Sequence, residues 1–411
     1  MPIDFERIPP RIGVPAVPRP SAIVWIPLLC LALCVGVTMT VLGWATGSPT
    51  SSAWFWLCAV GYPILGWSLL LVSSLAYGHT VRRSALAQNR VSDQAEQACH
   101  DEASEPFAII GYAWRFSSDK GENSLRSVLE GKAQSGLRPS AAFPRNDVHA
   151  RWIDVPGEPF YPGNELGEHT RHLAVCEWLI ACLLDDLSES LASLPAQTRL
   201  RVHLCVHSRL KSTSVVEQLR AALKDRRAPT DRRIDREESL SIFATDDWLD
   251  RRDEQTVHLV IAMQLRDAIS TMLDGGVAEA GAALLIGNPR LLKDASTHVL
   301  RLHRPARGTM NTAAEVIELA SRWGKTDTKN LDAAWVQGLP VDDLGSLRKS
   351  ANLNEALPWR QIEASVGDCS DAGGWLAVAL AAASADSSSN PQLVLCTQGN
   401  ELTALVCRKE T

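Results

Sequence analysis

The chain has 411 residues and a formal net charge of −6, with hydrophobic residues making up 45%. The acidic balance and the lack of a basic stripe argue against nucleic acid as the main partner. Its ten cysteines form no C-x-x-C pair, so neither a usual zinc spacing nor a disulfide framework is indicated, and free, mostly buried thiols are expected.

Met1 to Arg19 is rich in Pro and Arg and reads as a disordered tail over residues 1–22. Two apolar runs follow, Ile23 to Thr46 and Ala53 to Tyr77, joined by Gly47-Ser-Pro-Thr-Ser-Ser52. Neither contains Asp, Glu, Lys or Arg, and each exceeds the ~20 residues that span a bilayer as helix. Residues 23–77 are therefore expected to form a transmembrane hairpin that acts as an anchor, not a cleaved leader. Arg7, Arg11 and Arg19 flank it on one side, Arg82, Arg83 and Arg90 on the other. By the positive-inside rule both termini are expected in the cytoplasm of a bacterium, with the hairpin in its inner membrane. A further reading is a purely structural membrane protein in which the hairpin drives oligomerisation through Gly36, Gly43, Gly61 and Gly66.

Residues 78–104 are polar and read as a linker, with a helical extension of the second span as an alternative. From Glu105 onward the pattern alternates. Strands are expected at Phe107–Gly111, Arg201–His207, Ser239–Phe243, Val257–Met263, Ala280–Gly287, Val299–His303 and Leu331–Gln337, and in a terminal hairpin of Gln392–Cys396 with Leu402–Cys407. Helices are expected at Ser124–Lys132, His169–Leu191, Thr213–Asp225, Thr312–Trp323 and Gly373–Ala385. Gly136 to Asn164 reads as irregular and Ala228 to Glu238 as an exposed charged loop. Continuous apolar strands between helices indicate a layered α/β domain over residues 105–411.

The order of these pieces resembles the β-ketoacyl synthases. Glu105-Pro-Phe-Ala-Ile-Ile-Gly-Tyr-Ala-Trp-Arg-Phe116 looks like their opening strand, E-P-I-A-I-V-G-M-x-C-R-F. Leu125 to Gly131, His172 to Leu179, Arg201 to Val206, Asp274 to Ala283, Asp332 to Gly338, Ser365 to Val378 and the closing hairpin follow collinearly. The resemblance implies a thiolase-like, layered α-β-α-β-α fold of two pseudo-repeated halves. It also implies a cysteine nucleophile at a helix N-terminus and two histidines. The nucleophile belongs between Ser239 and Val257, where the sequence has no cysteine but does have Asp246 and Asp247. The first histidine position falls near Gln337-Gly338 and the second at Asp368. A non-catalytic, membrane-tethered adaptor or assembly protein is therefore expected, with no catalytic, cofactor or metal residues assigned. Its expected partners are the bilayer and a protein, either a second copy or a secretion effector. An accessory role in type VI-like toxin delivery follows by analogy.

The alternative is an enzyme acting on acyl-thioester or lipid-linked substrates through Cys205 or Cys369. Cys205 and His207 alternate on one strand face, which permits a Cys/His dyad or, more simply, a buried thiol. His169 and His172 share a helical face but lack the H-E-x-x-H pattern of a zinc helix. Asp185-Asp186 and Asp246-Asp247 diverge as neighbours and are not dyads. Gly275-Gly276 reads as a turn.

Overall fold

The computed structural model describes all residues except 1–4, 47, 135, 227, 230, 252, 293–298 and 411. It separates into two compact units, Asp4–Cys99 and His100–Thr411.

The smaller unit contains two helices long and apolar enough to cross a membrane, α1 (Ala22–Gly43) and α2 (Ala53–Ala103). Their close approach depends on Gly36, where an added Cβ would lie 2.2 Å from the Pro63 ring and 2.8 Å from the Ala59 carbonyl. The Trp67 indole donates to the Trp25 carbonyl (3.0 Å) and meets the Trp25 ring edge-on. Residues 78–103 continue α2, the helical extension held open beside the linker reading, because no Gly or Pro follows Gly78 within them and helix formers dominate. One expectation is corrected here. The described part of the tail, from Phe5 onward, runs along that helix: Asn89 bonds both backbone groups of Ile12, and Arg11 pairs with Asp93 and Glu96.

The larger unit is built on one sheet with eleven strands among the described residues. Its first half contains β1 (Phe107–Arg115), a short hairpin of β2 (Arg138–Pro139) and β3 (Asp147–Val148) outside the main sheet, and β4 (Arg199–His207). It continues with β5 (Arg232–Glu237), β6 (Thr256–Gln264) and β7 (Ala280–Gly287). The second contains β8 (Val299–Leu302), β9 (Ala306–Thr309), β10 (Ala333–Gln337), β11 (Trp359–Gln361), β12 (Gln392–Gln398) and β13 (Glu401–Glu410). The spatial order is β11-β10-β12-β13-β8-β1-β7-β6-β4-β5, with β9 beside β13. Setting aside β2, β3 and β9 and counting strands within each half, both read third-second-fourth-fifth-first. In both halves the fifth strand is antiparallel to its two neighbours and the others run parallel. This is the internal duplication that the resemblance implies.

Helices complete five layers. After the single-turn α3 (Leu125–Leu129), α4 (Glu165–Asp186) and α5 (Ser212–Asp225) cover the outer face of the first half. The short α6 (Ala244–Asp250) follows β5. Next come α7 (Ala313–Trp323) and α8 (Val341–Ser350), on the outer face of the second half. Finally, α9 (Ser370–Ser388) lies in the central layer and packs on strands of both halves. Strand alternation sorts the faces: Leu393 and Leu395 point to the outer layer, Val394 and Cys396 to the central one. From Ala372 to Ala385 every residue of α9 is buried, as expected for a helix without a polar face. Its Ala and Gly residues let both halves of the sheet approach: a Cβ on Gly374 would lie 2.8 Å from the Cys396 sulfur.

The strand β5 corrects the expected charged loop, which also includes residue 230, outside the described residues. Ser239–Phe243, expected as a strand, makes no ladder and leads into α6.

Candidate functional site

Each half places a helix between its third and fourth strands. In the second half that helix is α9, with 19 residues; in the first it is α6, with 7. The region where the resemblance puts the nucleophile is thus a single short helix and its approach. Trp248 of α6 fills the adjoining layer. Its ring stacks on His203 (4.1 Å between centroids), His258 (4.7 Å) and Trp375 (6.3 Å). His203 and His258 share a 3.0 Å nitrogen–nitrogen hydrogen bond. Burial pushes the His203 pKa down to about 4 and the His258 pKa down to about 3, with the neighbouring positive charges adding to the latter.

Asp246 and Asp247 do not form a pair. Asp246 and Asp250 both accept from Arg304, Asp250 at 2.8 Å, while Asp247 faces solvent. Desolvation raises the Asp246 pKa and Arg304 opposes the rise.

The structure brings two of the three family positions together. Leu240, Ser241 and Ile242 line a void of about 10 Å³ with Gln337, Asp371, Gly374, Cys396, Gln398 and Thr403. That volume holds about one water molecule and no acyl chain. The Cys396 thiol donates to Gln337 Oε1 at 2.8 Å. The Trp375 indole donates to the Leu240 carbonyl at 2.7 Å and fixes the segment that would carry the nucleophile. Asp368 is not among the residues lining the void: its carboxylate accepts from the Ser370 amide (2.8 Å) and faces Arg266 at 3.6 Å. Its backbone bridges to the Gly276 turn, where φ is +87°, so Gly275-Gly276 is a turn as expected.

Of the two cysteines considered as alternative nucleophiles, Cys369 is buried and its thiol donates to the Gly367 carbonyl at 3.4 Å. Burial drives its pKa far up, with Asp368 and Glu363 adding to the effect. Cys205 is also buried, which raises its pKa to about 11. It lies 3.7 Å from His207 Nε2, and the same nitrogen lies 3.0 Å from Asp371 Oδ2. A nucleophile–base–carboxylate relay needs the two ring nitrogens to face different partners. Here thiol and carboxylate meet one nitrogen, so the arrangement is not a relay. Asp371 was invisible to sequence reasoning, since it stands 164 positions from His207.

The His169/His172 pair does not converge. His169 is exposed, and both nitrogens of buried His172 are occupied. Nδ1 accepts from the Arg209 amide (3.0 Å), so Nε2 carries the proton and donates to the Arg266 carbonyl (2.9 Å). Beside it, Arg171 pairs with Glu168 (3.0 Å) and Glu279 (2.6 Å), all three buried. Backbone amides of Ile153, Arg266, Ile269 and Ser270 complete the two carboxylates. Asp185 and Asp186 go to Arg226 and Arg115.

No protein-family model matches the sequence, and no curated protein matches it. Solved structures do. The chain is similar to the ishigamide ketosynthase/chain length factor, at 12% identity over 74% of this chain and 100% of that one, with a TM-score of 0.50. It is similar to an oxazolomycin ketosynthase domain of Streptomyces albus JA3453, at 12% identity over 74% and 76%, with a TM-score of 0.51. It is also similar to the ketosynthase from module 6 of the bacillaene synthase of Bacillus subtilis 168, at 11% identity over 74% and 70%, with a TM-score of 0.52. The fold is thiolase-like. At these identities the likeness carries the fold alone, so the ketosynthase-like scaffold is established and its chemistry has to be judged from the residues.

Proposed function

We propose that this protein is a non-catalytic, membrane-tethered adaptor or assembly factor built on a ketosynthase-like scaffold. The observation that carries the reading is the void of about 10 Å³ at the family's reaction centre, lined by Ser, Ile, Gln, Asp and Cys side chains in place of a thiolate and two imidazoles. The aromatic stack of Trp248, His258 and Trp375 supports it by occupying the layer an acyl chain would need. Two apolar helices of bilayer-spanning length support the tether. In this reading both termini are cytoplasmic, and the larger unit presents a docking surface to a protein partner, within a toxin-secretion assembly.

The test uses the purified full chain in detergent micelles, incubated with malonyl- and acyl-thioesters of an acyl carrier protein. No thiol or carbon dioxide release above the buffer control is expected. Release that disappears in Cys205→Ala or Cys369→Ala would establish the enzymatic alternative instead. In cells, deletion of residues 105–411 is expected to lower delivery of the secreted cargo; unchanged delivery would sink the secretion assignment.

A further inference from the structure

The Cys205, His207 and Asp371 cluster has no role in the adaptor reading, and its geometry is not that of a relay. Cys205 Sγ, His207 Nε2 and Asp371 Oδ2 lie within 4.8 Å of one another, with the sulfur 3.7 Å and the carboxylate oxygen 3.0 Å from the ring nitrogen. Ligands around a tetrahedral zinc, with bonds of about 2.0–2.3 Å, stand roughly 3.3–3.7 Å apart. The two separations to the ring nitrogen are close to that spacing, and the third, from sulfur to carboxylate, is within 4.8 Å. The donor types also suit zinc: a thiolate, a neutral imidazole and a carboxylate form a borderline-soft set, and the two anions neutralise a dication.

The supports are rigid. Cys205 and His207 stand two apart on one face of β4, which is paired on both sides, Cys205 opposite Glu237 of β5 and Ala262 of β6. Asp371 sits in the first turn of α9, whose start is fixed by the Ser370 amide on Asp368 and by Arg266 on the Ser370 hydroxyl (2.7 Å). The His207 and Asp371 side chains are 38% and 28% exposed, which leaves an open edge for a water as fourth ligand. The second cluster of similar composition, Glu168, His172 and Asp267, provides the contrast. There His172 Nδ1 accepts from the Arg209 amide and Nε2 donates to the Arg266 carbonyl, while the Glu168 oxygens accept from backbone amides and Arg171, so no lone pair converges on a centre.

We infer that Cys205, His207 and Asp371 bind one zinc ion per chain, which joins the first-half strand β4 to the central helix α9. On binding, the Cys205 thiol gives its proton to water as the zinc–sulfur bond forms. The proton that His207 Nε2 presents to Asp371 passes through solvent to Nδ1, so Nε2 and the Asp371 carboxylate each exchange their mutual hydrogen bond for a bond to the metal.

The test uses tag-free full-length protein in micelles, stripped with a chelator and titrated with Zn²⁺ against a chromophoric competitor, then with Co²⁺ by absorption. One equivalent of tight binding is expected, with a thiolate-to-cobalt charge-transfer band and tetrahedral d–d bands, and a thermal midpoint that rises with zinc. Cys205→Ala should abolish the charge-transfer band. Asp371→Asn, which keeps shape and folding, should weaken zinc by roughly tenfold or more. His169→Ala should change nothing. Folding of each stripped variant is checked by circular dichroism. Folded wild-type protein that shows no charge-transfer band, or one-equivalent binding that survives Cys205→Ala, would overturn the site.

Discussion

A filled central layer should announce itself in the acid stability of the protein through His258. Its folded pKa is held near 3, against an ordinary 6.5, chiefly because the ring is buried against Trp248 and Phe107. Between these values the unfolded chain binds a proton that the folded chain refuses, so stability falls as pH falls through that window and is fully present above 6.5. At pH 5 the ring is about 1.5 units below its unfolded pKa and still neutral in the fold. At 1.36 kcal/mol per unit, this costs about 2 kcal/mol relative to pH 8. Asn at position 258 offers an amide oxygen or nitrogen in place of Nδ1 toward His203 Nε2 and carries no titrating group. The expected result is that His258→Asn narrows the stability difference between pH 8 and pH 5 by about 2 kcal/mol. Urea unfolding of the full chain in micelles, followed by tryptophan fluorescence, measures it. An unchanged difference would mean that His258 titrates near 6.5 in the folded protein, in contact with water. The layer would then be a wet channel, and the argument for a closed site would collapse.

Arg171→Met should cost about 3–5 kcal/mol, because it strands Glu168 and Glu279 as buried charges; the denaturant midpoint reports it. Gly36→Leu should separate α1 from α2 in micelles, whereas Gly43→Leu and Gly66→Leu, with open space around both glycines, should not; a disulfide-trapping pair across the two helices distinguishes them. Iodoacetamide should leave Cys369, Cys396 and Cys407 unmodified in the folded chain, since burial raises all three pKa values; mass spectrometry after labelling, with and without urea, checks this.

The apolar strands and amphipathic helices were legible because their burial follows a period that survives in one dimension. Val257–Met263 and Ala280–Gly287 reappear almost to the residue. The failures have separate causes. The strand β5, Arg-Arg-Ile-Asp-Arg-Glu, lies at an edge of the sheet and carries the charges that keep edges from pairing with other chains, so its pattern mimics a loop. Leu240 and Ile242 alternate like a strand, yet they are apolar because both are buried beside α9 and not because they pair in a ladder. Residues 78–103 have a linker's polarity and a helix's propensity, so both readings stood open in the sequence, and propensity decided. At the candidate site, the missing cysteine and histidines could be read directly. Asp371, Arg304 and the Trp248 stack could not, since each depends on a contact across the central layer that leaves no local trace.

In the proposed reading, a missing thiol at the family's nucleophile position and the small void beside it have one physical cause. In the fold implied by the resemblance, the thiolate relies on a helix N-terminus, where unpaired amides and the aligned peptide dipoles favour negative charge. Here the first-half helix has 7 residues, and its first turn holds Asp246 and Asp247. A thiol there would have carboxylates beside it, which raise a thiol pKa where catalysis needs it lowered. Beside this short helix, Trp248 and the two histidines form stacked rings. The second half has a 19-residue helix, α9, against which strands of both halves pack. In the proposed reading that helix holds the fold together, while stacked side chains fill the space a substrate would need.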